Sequence, residues 1–536
     1  MRRLGTMLDC SRNAVMTVDS VKKWIDLTSG LGFNMLMLYT EDTYEIPDEP
    51  YFGYCRGRYR TEELKEMKRY AGEKGMELIP CIQTLAHLNG LTRWPAYRPH
   101  VDIDDILLAD DEAVYDLIEK MFTVISECFD SVYVNVGMDE AFHIGRGRYY
   151  DLHGDADRTG ILLRHLKKVA EIGKKHGLKL CMWSDMFFRL AAGTYYADSC
   201  DIANPEVSRE IPDNVELIYW DYYSADSARY DRMLRAHEKL RPGTWFAGGL
   251  WSWEGFAPHN AFSMNVTRAA LTACADNSVE NCFFTLWGDD GAECSRFALL
   301  PALFYASELA KGIFDEAQIR REFESRFGIS WDHFMLLDLP DSPNGRDDKV
   351  INAEKYLFYN DPFLGLMDST LQGDEADSFA RCAEKLRAVP RSQPFAYLFD
   401  TQQALCEVLA EKADLGVRIR AAYGAGDRDA LRAEADSCRV VEERLAVFYE
   451  CFRRQWYLEN KGQGFEVQDI RLGGLRQRVA HCRRMLEDLL SGQIERIDEL
   501  EEALLDVTGN GTDYRKEALL FNSWRQTVTA NVISHS

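Results

Sequence analysis

The sequence predicts a (β/α)8 TIM barrel followed by an all-α C-terminal domain, and three observations predict it. From residue 4 to about 310 one rhythm recurs, a short apolar strand, a polar loop and an amphipathic helix, which is the pattern of a parallel sheet. The strand-like runs number eight, enough to close a barrel. Beyond about residue 310 such runs stop, and apolar and charged residues alternate at helical period. The domains read as 1–310 for the barrel and 311–536 for the helices.

In chain order, the strands are expected at 4–9 (LGTMLD), 34–40 (NMLMLYT), 76–82 (MELIPCI), 131–137 (SVYVNVG), 178–184 (LKLCMWS), 215–221 (VELIYWD), 244–250 (TWFAGGL) and 281–287 (NCFFTLW). Between them, VDSVKKWIDLTSGLG, TEELKEMKRYAGEKG, DEAVYDLIEKMFTVISECF and SARYDRMLRAHEKL carry apolar residues on one helical face. Glycine tolerates the left-handed conformation that ends a helix, so Gly30, Gly75 and Gly177 are expected as C-terminal caps before strands two, three and five. In the second domain FAYLFDTQQALCEVLAEKADLGVRIRAAYG and RAEADSCRVVEERLAVFYECFRRQWYLENK read as long helices, and the glycines of WYLENKGQGFEVQDIRLGG as an interhelical turn. These amphipathic faces must be buried against something: the barrel, a second copy in a homodimer, or both.

The chain has 536 residues, of which 63 are basic and 87 acidic, for a net charge of −24. That charge repels phosphate backbones and anionic lipid surfaces, so neither nucleic acid nor membrane is an expected partner. The N-terminal apolar run is too short for a secretory signal, and no segment reaches the ~20 apolar residues of a membrane span. The 14 cysteines are scattered and lack a CxxC pair, which suits a reducing cytoplasm.

Functional side chains of such a barrel gather at the C-terminal strand ends. Here those ends carry Asp9, Glu41 and Asp42, His87 and Asn89, Asp139 and Glu140, Trp183 and Asp185, Trp220 to Tyr223, Trp251 to Glu254, and Trp287 to Glu293. Carboxylates beside flat aromatic walls describe a sugar site, because a pyranose stacks its C–H face on indole while its hydroxyls require polar partners. Any single tryptophan is as well explained by core packing, and Trp24, Trp331, Trp456 and Trp524 are read that way; the shared strand-end position separates the others. The 11 histidines show no HExxH or paired spacing, so no metal is expected. With no GxSxG elbow and no phosphate loop, serine hydrolases and nucleotide enzymes are disfavoured, and no cofactor is expected.

Strand four ends VNVGMDEAFHIGRGRY, and this Gly-x-Asp-Glu ending resembles glycoside hydrolase family 20. Further echoes lie at LMLYTEDTYEI, LIPCIQTLAHLNG, MWSD and TLWGDD, so the resemblance spans roughly residues 4 to 300. It is nearest to the bacterial branch that begins directly on the barrel and carries a helical C-terminal domain. At strand one many members read Arg-Gly-x-Met-Leu-Asp, where this chain has Leu4 in place of the arginine that holds the sugar's 3- and 4-hydroxyls. Arg12 or His87 is expected to substitute for it.

The resemblance implies an exo-acting β-N-acetylhexosaminidase that releases terminal GlcNAc or GalNAc by a retaining, substrate-assisted reaction, the 2-acetamido oxygen attacking the anomeric carbon to give an oxazolinium ion. Glu140 is then the acid/base, and Asp139 orients and stabilises the acetamide N–H. Tyr222, with Tyr223 as alternate, positions the acetamide oxygen; Trp183, Trp251 and Trp287 wall its pocket. Asp289 takes the acidic position of the family's Trp-Gly-Glu and binds the distal hydroxyls, with Glu293 and Glu254 as competitors. Asp42, His87 and Asp185 are further substrate-binding candidates. Two rivals stand beside this reading: a two-carboxylate β-glycosidase with Glu254 as nucleophile on sugars lacking an acetamide, and a non-catalytic barrel that binds amino sugars.

Overall fold

The computed structural model describes residues 1–196, 205–342, 350–511 and 523–531. Eight parallel strands close a barrel: β1 (Arg3–Asp9), β2 (Met35–Glu41), β3 (Glu77–Ile82), β4 (Tyr133–Asn135), β5 (Lys179–Trp183), β6 (Val215–Trp220), β7 (Trp245–Gly249) and β8 (Asn281–Leu286). Each pairs with its sequence neighbours, and β1 closes the ring on β8 in the register Arg3↔Asn281. A hairpin of Val101–Ile103 and Ile106–Leu107 follows β3. All eight expected strands are present. β4 is shorter than expected because the backbone turns left-handed at Gly137 (φ 73°) and Met138 (φ 68°), leaving the extended path.

Val, Ile, Leu and Met fill the strands because both faces of a barrel strand are covered, and β2 is buried along its whole length. Gly5 of β1 is required by close approach: a Cβ there would lie 2.6 Å from the Met35 carbonyl oxygen. The helix Val18–Leu31 turns Trp24 inward, where its indole N–H donates to Thr6 Oγ1 at 3.0 Å. Its left-handed cap is Gly32, not the expected Gly30, which still lies inside the last helical turn. Gly75 (φ 72°) and Gly177 (φ 70°) do adopt the conformation expected of them.

The chain divides into two compact units. The first, Met1–Leu250, Ser263–Leu286 and Ala306–Ile313, holds the whole barrel; the second comprises Trp251–Phe262, Trp287–Tyr305 and Phe314–Ser536. The segments directly after β7 and β8 thus belong with the C-terminal helices. Among the described residues no strand follows Leu286. The second unit contains Ala396–Lys412 and Leu415–Ala425, one expected helix broken at Ala413–Asp414, then Arg428–Glu459 and Phe465–Ser491 across the expected turn. Phe256, Phe358, Phe448 and Phe452 form its aromatic core, with ring centroids 5.1–5.7 Å apart. No helix among the described residues is long and apolar enough to cross a membrane.

Candidate active site

The centre is built where β4 ends. Gly137 presses so closely on Gln83, just past β3, that a Cβ would fall 1.9 Å from its Oε1. The Gln83 amide binds both sides of this turn: its oxygen accepts from Met138 N (3.2 Å), and its NH2 donates to Asp139 Oδ1 (2.8 Å) and to the Tyr39 hydroxyl (3.1 Å). Met138, Glu140 and His87 are all non-glycine residues held at positive φ, the last two at 52° and 56°. Such backbone costs of order 1–3 kcal/mol each and persists where the surroundings over-determine it, commonly at functional sites.

Around this turn the charges interlock. His87 Nε2 lies 3.1 Å from Asp139 Oδ2 and 3.7 Å from Glu140 Oε2. Asp185, fully buried after β5, accepts the backbone N–H of Glu140 (3.1 Å) and pairs with Arg189 (3.1 Å), which reaches 3.8 Å from Glu140 Oε1. Burial alone would raise the Asp139 pKa, but the His87 charge and the hydrogen bonds from His87 and Gln83 outweigh it and hold Asp139 below the usual carboxylate range. Glu140 moves the other way, raised by burial and then by the Asp139 charge. Burial disfavours charge on His87, yet Asp139 more than compensates and lifts it to about 10. Asp185 is pushed up to about 7 by burial and by Asp139.

A second cluster adjoins at the ends of β1 and β2. Arg12 pairs with Asp9 (3.0 Å), lies over the Tyr39 ring and approaches Glu41 (3.9 Å). Arg56 pairs with buried Asp42 (3.1 Å) and also approaches Glu41 (3.9 Å), whose burial pushes it up to about 7. Of the two substitutes for the strand-one arginine, His87 is therefore engaged by Asp139, while Arg12 sits among carboxylates at the ends of the first two strands.

The structure thus brings Asp139, Glu140, His87 and Asp185 together, with Asp42 held by Arg56 in the adjoining cluster. Trp183 and Tyr222 lie at the ends of the next strands. Trp183 is buried 5.9 Å from Phe283, and Tyr222 stacks on Trp220 at 5.5 Å with its neighbour Tyr223 largely exposed. Trp251, Trp287 and Asp289 belong to the second unit, where Trp251 stacks on Trp253 at 4.3 Å and Trp287 is buried. Glu254 is buried there and pushed up to about 7 by burial and by Asp289.

Glu293, the other competitor for the hydroxyl-binding task, has its own surroundings in the second unit. It is buried in an ion cage, 2.9 Å from Lys355 and 3.1 Å from Arg471, and accepts the Tyr359 hydroxyl at 3.2 Å. The same cations grip Asp290 at 3.0 and 3.1 Å, and Gln468 donates to the Gly291 carbonyl at 2.9 Å. This cage holds left-handed backbone at Asp290, Gly291 and Ala292, directly after Asp289.

Sequence reasoning missed Gln83 and Arg189. Gln83 was detectable as the polar residue just past a strand end; Arg189 is positioned by its four-residue helical spacing from Asp185, a signal that any surface pair shares. Among the described residues no group of three or more His, Cys, Asp and Glu side chains converges as metal ligands.

Comparison with known proteins accords with this architecture. The "Glycosyl hydrolase family 20, catalytic domain" profile matches residues 3–222, and the "Glycoside Hydrolase 20C C-terminal domain" profile matches 332–519. Hexosaminidase D of Bos taurus is 25% identical over 45% of this chain and 67% of its own length, and that of Homo sapiens 24% identical over 43% and 47%. The chain therefore spans about half to two thirds of these relatives. Among solved structures, the GH20 beta-N-acetylhexosaminidase from Streptomyces coelicolor A3(2) is 18% identical, with 60% of this chain and 68% of that one covered at a TM-score of 0.45. With the catalytic profile on the barrel and the C-terminal profile on the helices that follow, the chain belongs to glycoside hydrolase family 20.

Proposed function

We propose that the protein is a cytoplasmic, exo-acting β-N-acetylhexosaminidase. It releases terminal β-linked GlcNAc or GalNAc from small oligosaccharides or glycoconjugates with retention, the substrate's acetamido oxygen serving as nucleophile. The observation that carries this reading is the adjacent pair Asp139 and Glu140, whose acidities are driven apart by their surroundings. Two carboxyl groups pushed in opposite directions can take different roles at one pH.

Glu140, protonated at the start, gives its proton to the glycosidic oxygen as the acetamide oxygen closes on the anomeric carbon. It then takes a proton from the water that opens the oxazolinium ion. Asp139, ionised, accepts the acetamide N–H and stabilises the positive charge that develops there. Tyr222 positions the acetamide oxygen, Trp183, Trp251 and Trp287 wall the acetamide pocket, and Asp289 binds the distal hydroxyls. His87, Asp42 and Asp185 complete the sugar-binding set. The same reading takes 1–310 as the catalytic domain and 311–536 as the helical one, with homodimerisation through the latter. Cytoplasmic residence is supported by the burial of the described cysteines, all but Cys55 of which are buried or half-buried.

The test compares nitrophenyl β-GlcNAc with nitrophenyl β-glucoside and adds a thiazoline mimic of the cyclised intermediate. Turnover confined to the acetamido sugar, with tight thiazoline inhibition, is expected. Equal turnover of the two glycosides, or inhibition only at millimolar thiazoline, overturns substrate assistance.

A further inference from the structure

The loops after β2 and β3 carry an aromatic cluster that the proposed reaction does not use. Tyr51 and Tyr54 remain 43% and 49% exposed although both are large rings on a structured turn. Trp94, from the segment after β3, completes the group: its centroid lies 5.4 Å from Tyr51 and 5.5 Å from Tyr54, and the two tyrosines are 6.2 Å apart. The rings meet at 33°, 71° and 77°, so they form an angled shelf and not a closed stack. The Arg93 guanidinium lies 5.4 Å from the Trp94 ring. Beside Tyr51 opens a cavity of about 430 Å³ lined by Glu49, Tyr97, His100, Asp116 and Lys120 among others.

Three features argue against a simple packing role. Rings that only pack are buried, as Tyr39, Tyr44 and Tyr59 are on either side of this loop. Clustered exposed aromatic surface keeps a cost in water that a ligand can relieve. The shelf is also carried by loops that leave the C-terminal ends of β2 and β3, the end of a barrel from which chemistry is done.

Its connection to the catalytic pair is short. His87 contacts Asp139, and three residues later Gly90 packs so tightly on the second cluster that a Cβ would fall 1.7 Å from Arg56 NH1 and 2.6 Å from Asp42 Oδ2. Arg56 stands two residues beyond Tyr54, and Trp94 four beyond Gly90. Chain geometry, including the helical turn Asn89–Thr92, keeps Trp94 within about 20 Å of His87.

We propose that Tyr51, Tyr54 and Trp94 form an aglycone subsite for the sugars of a linear saccharide whose non-reducing end occupies the Asp139–Glu140 centre. The inference deepens the hexosaminidase reading and rests on it. Pyranose C–H faces stack on such rings, while the polar groups of the adjoining cavity suit hydroxyls and acetamides. An enzyme so equipped prefers an oligosaccharide to a simple aryl glycoside.

The test measures kcat/KM on a linear β-linked GlcNAc tetrasaccharide and on nitrophenyl β-GlcNAc for the full chain and for Tyr51→Ala/Tyr54→Ala and Tyr51→Phe/Tyr54→Phe. The ratio of tetrasaccharide to aryl-glycoside kcat/KM should fall about tenfold, ~1.4 kcal/mol, in the alanine variant and hold in the phenylalanine variant, which keeps the rings. In parallel, calorimetry on Glu140→Gln compares the tetrasaccharide with free GlcNAc; the expected preference for the longer ligand disappears when both tyrosines become alanine. An unchanged ratio together with unchanged ligand preference overturns the subsite and leaves the shelf as a protein contact. Absence of turnover in the wild-type chain refutes the enzymatic reading instead, and the binding comparison still decides the subsite.

Discussion

Replacing His87 by Asn removes a positive charge from between the two carboxyls to which the proposed function gives the chemistry, while keeping a residue that tolerates the left-handed backbone found there. The imidazole is 3.1 Å from Asp139 and 3.7 Å from Glu140. At an effective dielectric of ~20, unit charges at these separations attract by about 5 kcal/mol, which is a ceiling. Asp139 is nearly enclosed, whereas the Glu140 side chain is 37% exposed, so water screens its share several-fold. A shift of roughly one pH unit, about 1.4 kcal/mol, remains at Glu140, and a larger one at Asp139.

The sign follows from which form each group needs. His87 favours the ionised form of both carboxyls, so its loss raises both pKa values. On the proposed mechanism the acidic limb requires ionised Asp139 and the alkaline limb protonated Glu140, so both limbs move up, the alkaline one by about one unit. The assay is the pH dependence of kcat/KM on nitrophenyl β-GlcNAc for both proteins, with limb positions read independently of any fall in maximal rate. Because the carboxyls titrate as an interacting pair, the limbs belong to the pair. Limbs that stay in place, or move to lower pH, refute a charged His87 between them.

Asp139→Asn and Glu140→Gln should each lower kcat on the same substrate by about 10²–10⁴, with thermal unfolding little changed; a loss below tenfold removes that residue from the chemistry. Lys355→Met leaves the buried Glu293 and the partly exposed Asp290 short of one cation, and breaking the buried Lys355–Glu293 pair costs about 3–5 kcal/mol; denaturant unfolding of the full chain checks this, with Lys355→Arg expected to recover part of the loss. Gly137→Ala forces a Cβ onto Gln83 at φ 73° and should destabilise the chain by at least about 1 kcal/mol while lowering kcat more than KM, since it displaces the turn that aims both carboxyls. Wild-type kinetics and stability in Gly137→Ala would show that the turn has slack.

What the sequence determined by itself was periodic or local: eight apolar runs of strand length, the helices between them, and the GMDE turn at the end of strand four. Burying an apolar stripe is a demand each segment makes independently, and it survives in a one-dimensional pattern. Boundaries slipped where the backbone leaves its regular conformation, at Gly137 and Met138 in β4 and at Gly32 in place of Gly30.

Only the tertiary structure decided which charged groups meet. Gln83 joins Met138 and Asp139 across 55 and 56 residues, and Arg471 closes on Glu293 across 178. Neither pairing has a period or spacing that could announce it. Nor could sequence decide that Glu293 is enclosed by Lys355, Arg471 and Tyr359 while Glu140 stays partly open, because burial, and with it the direction a carboxyl's acidity moves, belongs to the packed surroundings and not to the residue.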